Sequence, residues 1–243
     1  MPTMIPLRVP RRPSPKPQYR NLISGQQSTL LRQYNNKHVG HRGILLGGGT
    51  SIKHLQNTGF DFHSLTKEIV VGVNKAYRLF TPTYLVFGDP YFWEHFHTEI
   101  RTLSCIKFAP AQTLKGYSDI HTLPVRAGTN YQEVLPNGLD AAVSFINNSG
   151  VAALRILYCL GCNPIYLFGI DLTEDTAGET HFHNDYKNLG RQTTQAKYKT
   201  FHTEFARTLS ALKTRDISVF SCSSFSSLNV VIPYVHPSLV FSS

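Results

Sequence analysis

Short apolar runs alternate with helix-like segments along most of the chain, and most of these runs end in Gly, Asn or Asp. Six runs stand out, at residues 43–47, 68–74, 83–89, 105–109, 165–171 and 217–222. Their nearly continuous apolar character is typical of strands that are buried on both faces of a parallel sheet. The alternation therefore predicts an α/β, Rossmann-like domain, in which a mostly parallel sheet carries helices on both faces.

Two long helices are predicted in the second half of the chain. The first begins at Ser149, a good N-cap residue, and closes at Gly161 before Pro164. The second covers about residues 193–214, and its apolar stripe consists of Tyr198, Phe201, Phe205, Leu209 and Leu212. Residues 110–147 mix Gly, Pro and Asn with short strand-like pieces such as residues 121–125, so we expect an insertion or an active-site lid there.

The charge of the chain is concentrated near its N-terminus. The 243 residues include 24 Lys+Arg and 15 Asp+Glu, and nine of the basic residues but none of the acidic ones fall within residues 1–60. Six of the 14 prolines lie within residues 2–17, which excludes a helix or a central strand there. We expect residues 1–42 to form a disordered basic arm that suits a nucleic acid or another anionic partner, and residues 43–243 to form a single folded domain.

Composition limits the cellular locations that we expect for the protein. No stretch approaches the roughly 18 consecutive apolar residues of a membrane span, and the N-terminal segment lacks the apolar run of a secretory signal. Four cysteines in a chain of this length do not make a disulfide scaffold, so a reducing, cytoplasmic location is expected. The C-x-x-C pair of Cys159 and Cys162 ends an apolar helix, and we interpret it as buried packing.

A glycine-rich segment follows the first predicted strand, at the carboxyl end where parallel sheets bind ligands. Residues 47–51 read G-G-G-T-S and precede a helical segment. Gly47 and Gly49 let the backbone approach a phosphate, while Thr50, Ser51 and the helix N-terminus supply donors. The segment matches neither G-x-G-x-x-G nor a Walker loop, so a tight strand-to-helix turn is an equal alternative.

Polar residues also follow three other predicted strands or begin a helix. Asn74 suits a base or ribose, and Asp89 suits a ribose hydroxyl or a metal-bound water, with a helix cap as the alternative for both. Asp171 closes a buried strand as a functional carboxylate or a cap. The predicted helix start has free amides that favour an anion, and it consists of Asn148, Ser149 and Gly150.

Two histidines lie close together in residues 180–185, which read T-H-F-H-N-D. Histidine is a usual general base near neutral pH, so His181 and His183 are the catalytic candidates. The H-x-H pattern in a strand would also project both rings to one side. Two ligands without an identifiable third do not define a zinc site, and we predict no metal here.

Four segments together resemble a known superfamily: ILLGGGTSI (44–52), GVNKAYRLFTPTYLVFGDPYFW (72–93), NNSGVAALRILYCLGCNPIYLFGIDL (147–172) and THFHND (180–185). One branch contains the bacterial CMP-sialic-acid sialyltransferases of glycosyltransferase family 42. The other contains MptE-like 6-hydroxymethylpterin diphosphokinases and related uncharacterised bacterial and phage proteins. The resemblance covers about residues 43–222 and is most specific where the N-S-G-V helix start leads to the I-Y-L-F-G-I-D strand end.

The sialyltransferase branch implies a site for a CMP-linked sugar donor. Its G-x-G-x-S loop, the Asn after its second strand and its Thr/Ser-Gly helix start contact the cytidine nucleotide. The matching residues here are Gly47, Gly49, Ser51, Asn74, Asn148, Ser149 and Gly150. A histidine downstream of the G-I-D strand is the catalytic base of that branch, which implies His181 or His183.

These inferences favour a nucleotide-binding transferase domain, foremost a glycosyltransferase that moves a sugar from a nucleotide-activated donor to a hydroxyl acceptor. The diphosphokinase branch is the alternative, in which Asp89 and Asp171 would hold Mg²⁺ for ATP. A third hypothesis is a non-catalytic protein that binds nucleic acid or another anion through the arm. A fold that has lost its activity is the fourth.

Overall fold

The computed structural model describes residues 23–241 except 111–116, 118, 125–133, 142, 144–147 and 189–194. Seven strands form one sheet, in which every pair of neighbours is parallel. The strands are β1 Gly43–Leu46, β2 Ile69–Val73, β3 Tyr84–Val86, β4 Ile106–Pro110, β5 His121–Leu123, β6 Ile165–Phe168 and β7 Val219–Ser221. The predicted parallel sheet is confirmed, and all six apolar runs contribute a strand to it.

The helices lie on both faces of this sheet, as predicted. They are α1 Gly25–Arg32, α2 Ser51–Asn57, α3 Pro90–Thr102, α4 Ser149–Cys159, α5 Asp185–Asn188 and α6 Gln195–Lys213. Alternate residues of β1 point to opposite faces: Leu45 packs in the layer that contains α4 and α6, whereas Ile44 and Leu46 pack with α2. The aromatic side chains of α3 pack against β3 in a third cluster.

The order of the strands is β5-β4-β3-β2-β1-β6-β7. The chain moves outward from β1 to β5 on one side and then returns to place β6 on the other side of β1. The carboxyl ends of β1 and β6 therefore flank a topological switch point, where open parallel sheets bind ligands. Since α4 leads into β6, α4 runs against the strands and begins at this same edge.

The predicted disordered arm, residues 1–42, extends too far toward the C-terminus, because a helix begins within it. Residues 1–22 lie outside the described residues, but α1 starts at Gly25 behind a capping box formed by Ser24 and Gln27. Leu31 and Tyr34 are buried in the core, and Tyr34 Oη lies 3.0 Å from His121 Nε2 on β5. The boundary at residue 42 is thus wrong, because the apolar residues after the proline-rich stretch pack on the edge of the sheet.

The two predicted helices are present, with one correction. Helix α6 matches its prediction, and four of its five stripe residues are buried: Tyr198, Phe205, Leu209 and Leu212. The N-cap of α4 is Asn148 rather than Ser149, since the Asn148 carboxamide accepts hydrogen bonds from the amides of Gly150 and Val151. Both residue types cap helices well, so the sequence did not distinguish them.

Parts of the expected lid segment belong to the sheet and its core. Strand β5 pairs with β4, and Leu123, Leu139 and Val143 are buried. The rest of the expected insertion, over residues 110–147, lies largely outside the described residues. Cys159 and Cys162 are buried, and burial raises the pKa of both thiols to about 12, which confirms their packing role. No helix of the described residues is long and apolar enough to cross a membrane.

The docking of α1 predicts a sharp contrast between two adjacent leucines. Leu31 is 1% exposed, whereas Leu30 is 48% exposed. We expect Leu31→Ala to lower the free energy of unfolding by about 2–5 kcal/mol, because it removes buried methyl groups from a packed core. Leu30→Ala should change it by less than about 0.5 kcal/mol. Urea unfolding measures both, and equal effects would contradict the packing of α1 on the domain.

Candidate functional site

The glycine-rich loop after β1 lies directly against the end of β6. The amide of Gly47 donates to the Phe168 carbonyl at 2.8 Å, and the amide of Gly49 donates to the Gly169 carbonyl at 2.9 Å. A Cβ atom on Gly47 would lie 2.4 Å from the Gly169 oxygen, and one on Gly49 would lie 2.3 Å from Asp171 Oδ2. Both positions therefore require glycine for the two loops to approach each other.

Asp171 joins these loops through a buried carboxylate. Its oxygens accept hydrogen bonds from the Ser51 amide at 2.8 Å and from the Ser51 hydroxyl at 2.6 Å. Burial raises the pKa of Asp171, and the two bonds from Ser51 oppose that shift. The donors of Ser51 are thus engaged inside the protein, and the N-terminus of α2 already faces a carboxylate. Ser51 and Asp171 hold the loop in place here.

Several buried polar atoms have no hydrogen-bond partner in the described part of the chain, and three of them follow β1 and β2 or begin α4 at this edge. These three are Thr50 Oγ1 after β1, Asn74 Oδ1 after β2 and Asn148 Nδ2 at the start of α4. Asn74 also adopts a left-handed backbone with φ of 51°, a conformation that Asn tolerates better than most residues. Buried polar groups are normally hydrogen-bonded, so these atoms are suited to a polar ligand that enters the switch point.

The start of α4 does not present the free amides that we expected. Asn148 Oδ1 accepts from the amides of Gly150 at 2.9 Å and of Val151 at 3.2 Å. Gly150 instead allows close packing, because a Cβ atom there would lie 3.1 Å from Phe205 Cζ on α6. The Asn148 side-chain amide, with Ser149 beside it, is the group that this helix start offers to a ligand.

Asp89 caps a helix, which is one of the two roles that the sequence suggested for it. It is the N-cap of α3, with its side chain accepting from the Tyr91 amide at 3.0 Å and with Pro90 in the first turn. Pro at this position is compatible with a helix start, because the amide it lacks has no partner within the helix. The role in binding a ribose or a metal-bound water has no support in this geometry.

Residues 180–185, which we call the histidine loop, pack on the glycine-rich loop. The Phe182 amide donates to the Gly48 carbonyl at 2.9 Å, and a Cβ atom on Gly48 would lie 3.3 Å from His181 Cδ2. The rings of His181 and His183 are 5.4 Å apart, and the ring of Tyr186 lies 4.8 Å from the first and 4.7 Å from the second. The structure therefore brings both predicted bases to the loop after β1.

Both imidazoles are neutral at neutral pH. Burial lowers the pKa of His181 to about 4. Burial also lowers the pKa of His183 to about 4; the proximity of His181 adds to this effect and the carboxylate of Asp185 opposes it. A neutral imidazole has a lone pair that accepts a proton, so either ring is in the protonation state that a general base needs.

A buried lysine beside the histidine loop escaped the sequence analysis. The side chain of Lys75 is 0% exposed, and its Nζ lies 3.2 Å from Glu99 Oε2 and 3.4 Å from Asp185 Oδ2. Nζ also lies 3.4 Å from the centroid of the Phe96 ring. Arg78 pairs with the same two carboxylates, at 3.3 Å and 3.0 Å. The signal in the sequence was a lysine set among apolar residues directly after a buried strand.

This ion cluster connects three elements of the fold. Lys75 and Arg78 follow β2, Glu99 lies on α3, and Asp185 ends the histidine loop. Burying an ammonium is costly unless other groups compensate its charge, and the two carboxylates do this for Lys75. Burial lowers the pKa of Lys75, and its hydrogen bond with Glu99 opposes this shift. The cluster thereby fixes the histidine loop relative to the end of β2.

The described residues offer no other comparable centre. No three His, Cys, Asp or Glu side chains within them are placed to hold a metal ion. A cavity of about 370 Å³ lies at the opposite, amino edge of the sheet, lined by Thr66, Val70, Phe80, Thr81, Pro82, Thr83, Ser104, Cys105 and Ile106. It lacks the histidines and the partnerless amides, so we place the candidate site at the carboxyl edge.

A solved structure shares this architecture. The sialyltransferase CstII from Campylobacter jejuni, in complex with the substrate analogue CMP-3FNeuAc, aligns with 80% of this chain and 86% of its own, at a TM-score of 0.50 and 18% identity. The chain shares its fold with this sialyltransferase. No protein-family model matches the chain, and no curated protein matches its sequence.

Two further structures are similar at lower scores. The sialyltransferase Cst-I from Campylobacter jejuni has a TM-score of 0.47 and 17% identity, over 80% of each chain. The MAf glycosyltransferase from Magnetospirillum magneticum AMB-1 has a TM-score of 0.48 and 15% identity, over 83% of this chain and 37% of that one. At these identities the likeness to solved structures concerns the fold.

The contact between the loops after β1 and β6 predicts a severe effect of one methyl group. We expect Gly49→Ala to lower the free energy of unfolding by about 1–3 kcal/mol, because its Cβ would overlap Asp171 in a packed core. Gly25→Ala is the matched control, since nothing lies within 4 Å of a Cβ there. Chemical denaturation compares the two variants, and a tolerated Gly49→Ala would show that the loops are not locked together.

The two histidines predict a loss of stability in acid. Their pKa values of about 4 lie below the ordinary 6.5, so between these limits the unfolded chain binds protons that the folded chain does not. The free energy of unfolding should therefore fall as the pH falls, by up to about 1.4 kcal/mol per pH unit for each histidine. Urea unfolding between pH 7 and pH 4 measures this slope.

A double variant assigns that slope to the site. His181→Gln with His183→Gln removes both titrating rings, and the pH dependence should become shallower. The matched control is His63→Gln, at an exposed position outside the site, and it should retain the dependence of the wild-type chain. Equal slopes in the double variant and the wild type would show that these rings are not protected from protonation.

Proposed function

We propose that the chain is a nucleotide-dependent glycosyltransferase that moves a sugar from a CMP-linked donor to a hydroxyl acceptor. The observation that carries this proposal is that buried polar atoms without a partner and two neutral histidines lie on loops at the same, carboxyl edge of the sheet. The fold shared with CstII, a sialyltransferase that binds CMP-3FNeuAc, supports the same class of donor. A fold hosts many activities, so the residues of the site carry the argument.

The partnerless atoms match the groups of a nucleotide. Asn74 Oδ1 is an acceptor for the amino group of cytosine or for a ribose hydroxyl. Asn148 Nδ2 is a donor for a phosphate or ribose oxygen, and the Thr50 hydroxyl serves either role. The donor is thus bound by neutral side chains, with Gly47 and Gly49 shaping the loop that supports it.

The histidines would supply the base for the transfer. As the acceptor oxygen bonds to the sugar, the bond between the sugar and the phosphate of CMP breaks, and the acceptor proton passes to the imidazole of His181 or His183. A pKa of about 4 makes each ring a weak base in the free chain. The negative phosphate of a bound donor raises that pKa, because an anion favours the imidazolium.

The other hypotheses have less support. The diphosphokinase would need Asp89 and Asp171 as Mg²⁺ ligands, but Asp89 caps α3 and Asp171 accepts two bonds from Ser51. The basic residues before position 23 lie outside the described part of the chain. Two charges of the expected arm that are described form ion pairs, Arg32 with Asp140 and Arg42 with Glu68, which weakens the case for an anion-binding surface there.

A binding experiment tests the donor. Calorimetric titration of the full chain with CMP, UMP and ADP, with and without Mg²⁺, should give heat with CMP in both buffers. Asn74→Gly removes the carboxamide but keeps a residue that accepts a positive φ, and we expect it to weaken CMP binding by about tenfold, the value of one hydrogen bond.

Asn36→Gly is the matched control for that variant. Asn36 is exposed and has a φ of 56°, close to the 51° of Asn74. Its replacement should leave the affinity for CMP unchanged. Absence of CMP binding by the wild-type chain would overturn the proposed donor, and equal affinities in the two variants would remove Asn74 from the site. Preference for ADP with a strict need for Mg²⁺ would instead favour the diphosphokinase.

A further inference from the structure

Two buried polar atoms face each other across a short gap in the histidine loop. His183 Nδ1 and Asp185 Oδ2 lie 3.8 Å apart, and neither makes a hydrogen bond of good geometry in the described structure. A movement of about 1 Å would bring them to hydrogen-bond distance, and such contacts are often long in chains without substrate. The side chain of His183 is 7% exposed, so solvent does not readily supply another partner.

Two cations hold the same carboxylate oxygen that faces His183. Lys75 Nζ lies 3.4 Å from Asp185 Oδ2, and Arg78 Nη1 lies 3.0 Å from the same oxygen. Lys75 is itself fixed by Glu99 and by the ring of Phe96. Because the ammonium is fully buried, moving Asp185 away would leave a buried charge with one partner fewer, which is costly.

The two histidines differ in what they face. His181 Nδ1 lies 2.8 Å from the Thr180 hydroxyl. The charged or titratable groups around His183 are Asp185, Lys75, Arg78 and His181, with the ring of Tyr186 packed on it. Asp185 is the acceptor among these. A carboxylate that accepts Nδ1–H leaves the Nε2 lone pair available for a proton, as a general base requires.

From this juxtaposition we infer that Asp185 is a positioning residue that orients His183 as the base, and that Lys75 and Arg78 hold Asp185 in place. The role rests on the proposed function and selects His183 over His181. In the transfer step the acceptor proton moves to Nε2 of His183, and Nδ1–H donates to Asp185. The Asp185 carboxylate favours the new imidazolium, whereas the nearby cations Lys75 and Arg78 oppose it.

The tautomer of His183 tests this role without any activity. Long-range ¹H–¹⁵N spectra of the full chain, with no ligand added, distinguish the Nδ1–H from the Nε2–H form. We expect His183 to carry its proton on Nδ1 in the wild type and to shift toward the Nε2–H form in Asp185→Asn. Asp119→Asn is the matched control, since Asp119 is an exposed carboxylate 3.9 Å from Arg101. An unchanged tautomer in Asp185→Asn would overturn the inference.

Kinetics provide the second readout. Asp185→Asn should lower kcat for sugar transfer from a CMP-linked donor by at least about tenfold and leave the donor KM within about twofold, since it disturbs the base and not the nucleotide contacts. Asp185→Glu should restore part of kcat. Full kcat in Asp185→Asn, in a chain that binds CMP and turns it over, would overturn the inference and leave the proposed function intact.

Removal of the buried cation completes the test. Lys75→Met should lower kcat in the same direction, and the matched control Lys107→Met should not. Lys107 is also buried, and its Nζ donates to the carbonyls of Leu103 and Cys105. If Lys75→Met does not fold, Arg78→Gln removes the more exposed cation and should lower kcat by a smaller factor. A wild-type chain with no CMP binding and no turnover would end the proposed function, while the tautomer still decides the role of Asp185.

Discussion

The two hydrogen bonds between Ser51 and the buried carboxylate of Asp171 determine how the carboxyl edge of the sheet is built. They hold the loop after β1 against the end of β6 at the switch point, and this close approach leaves no room for side chains at positions 47 and 49. The loop is therefore fixed in position. The Gly48 carbonyl of this loop accepts a hydrogen bond from the Phe182 amide. The position of the histidine loop therefore depends on the same contact.

The same geometry divides the polar groups of this edge into two sets. The amides and hydroxyl that the sequence suggested for phosphate binding, those of Ser51 and Gly150, are used by Asp171 and Asn148. Thr50, Asn74 and the amide of Asn148 keep an atom without a partner. A parallel sheet brings many hydrogen-bond donors to one edge, but some of them are already bonded to other groups of the protein. The remainder defines where a ligand gains hydrogen bonds that the free chain lacks.

The sequence predicted the sheet well because buried parallel strands are continuously apolar, which is a local property. It missed α1, since the neighbouring prolines and basic residues concealed a short helix whose stability comes from packing Leu31 against the sheet. It also missed Lys75, because a place directly after a buried strand does not by itself show that a lysine is buried. Its partners Glu99 and Asp185 are distant in sequence, and only the fold brings them together.

The low pKa of the histidines fits a base that works only when the donor is bound. In the free chain, burial keeps both rings neutral and weakly basic. They are therefore poor at removing a proton from an acceptor or a water molecule that enters without the donor. Under the proposed function, the phosphate of the donor brings the missing negative charge and strengthens the base. On this proposal donor binding and proton acceptance would be coupled by electrostatics, and Asp185, which Lys75 and Arg78 contact, would direct that effect to His183.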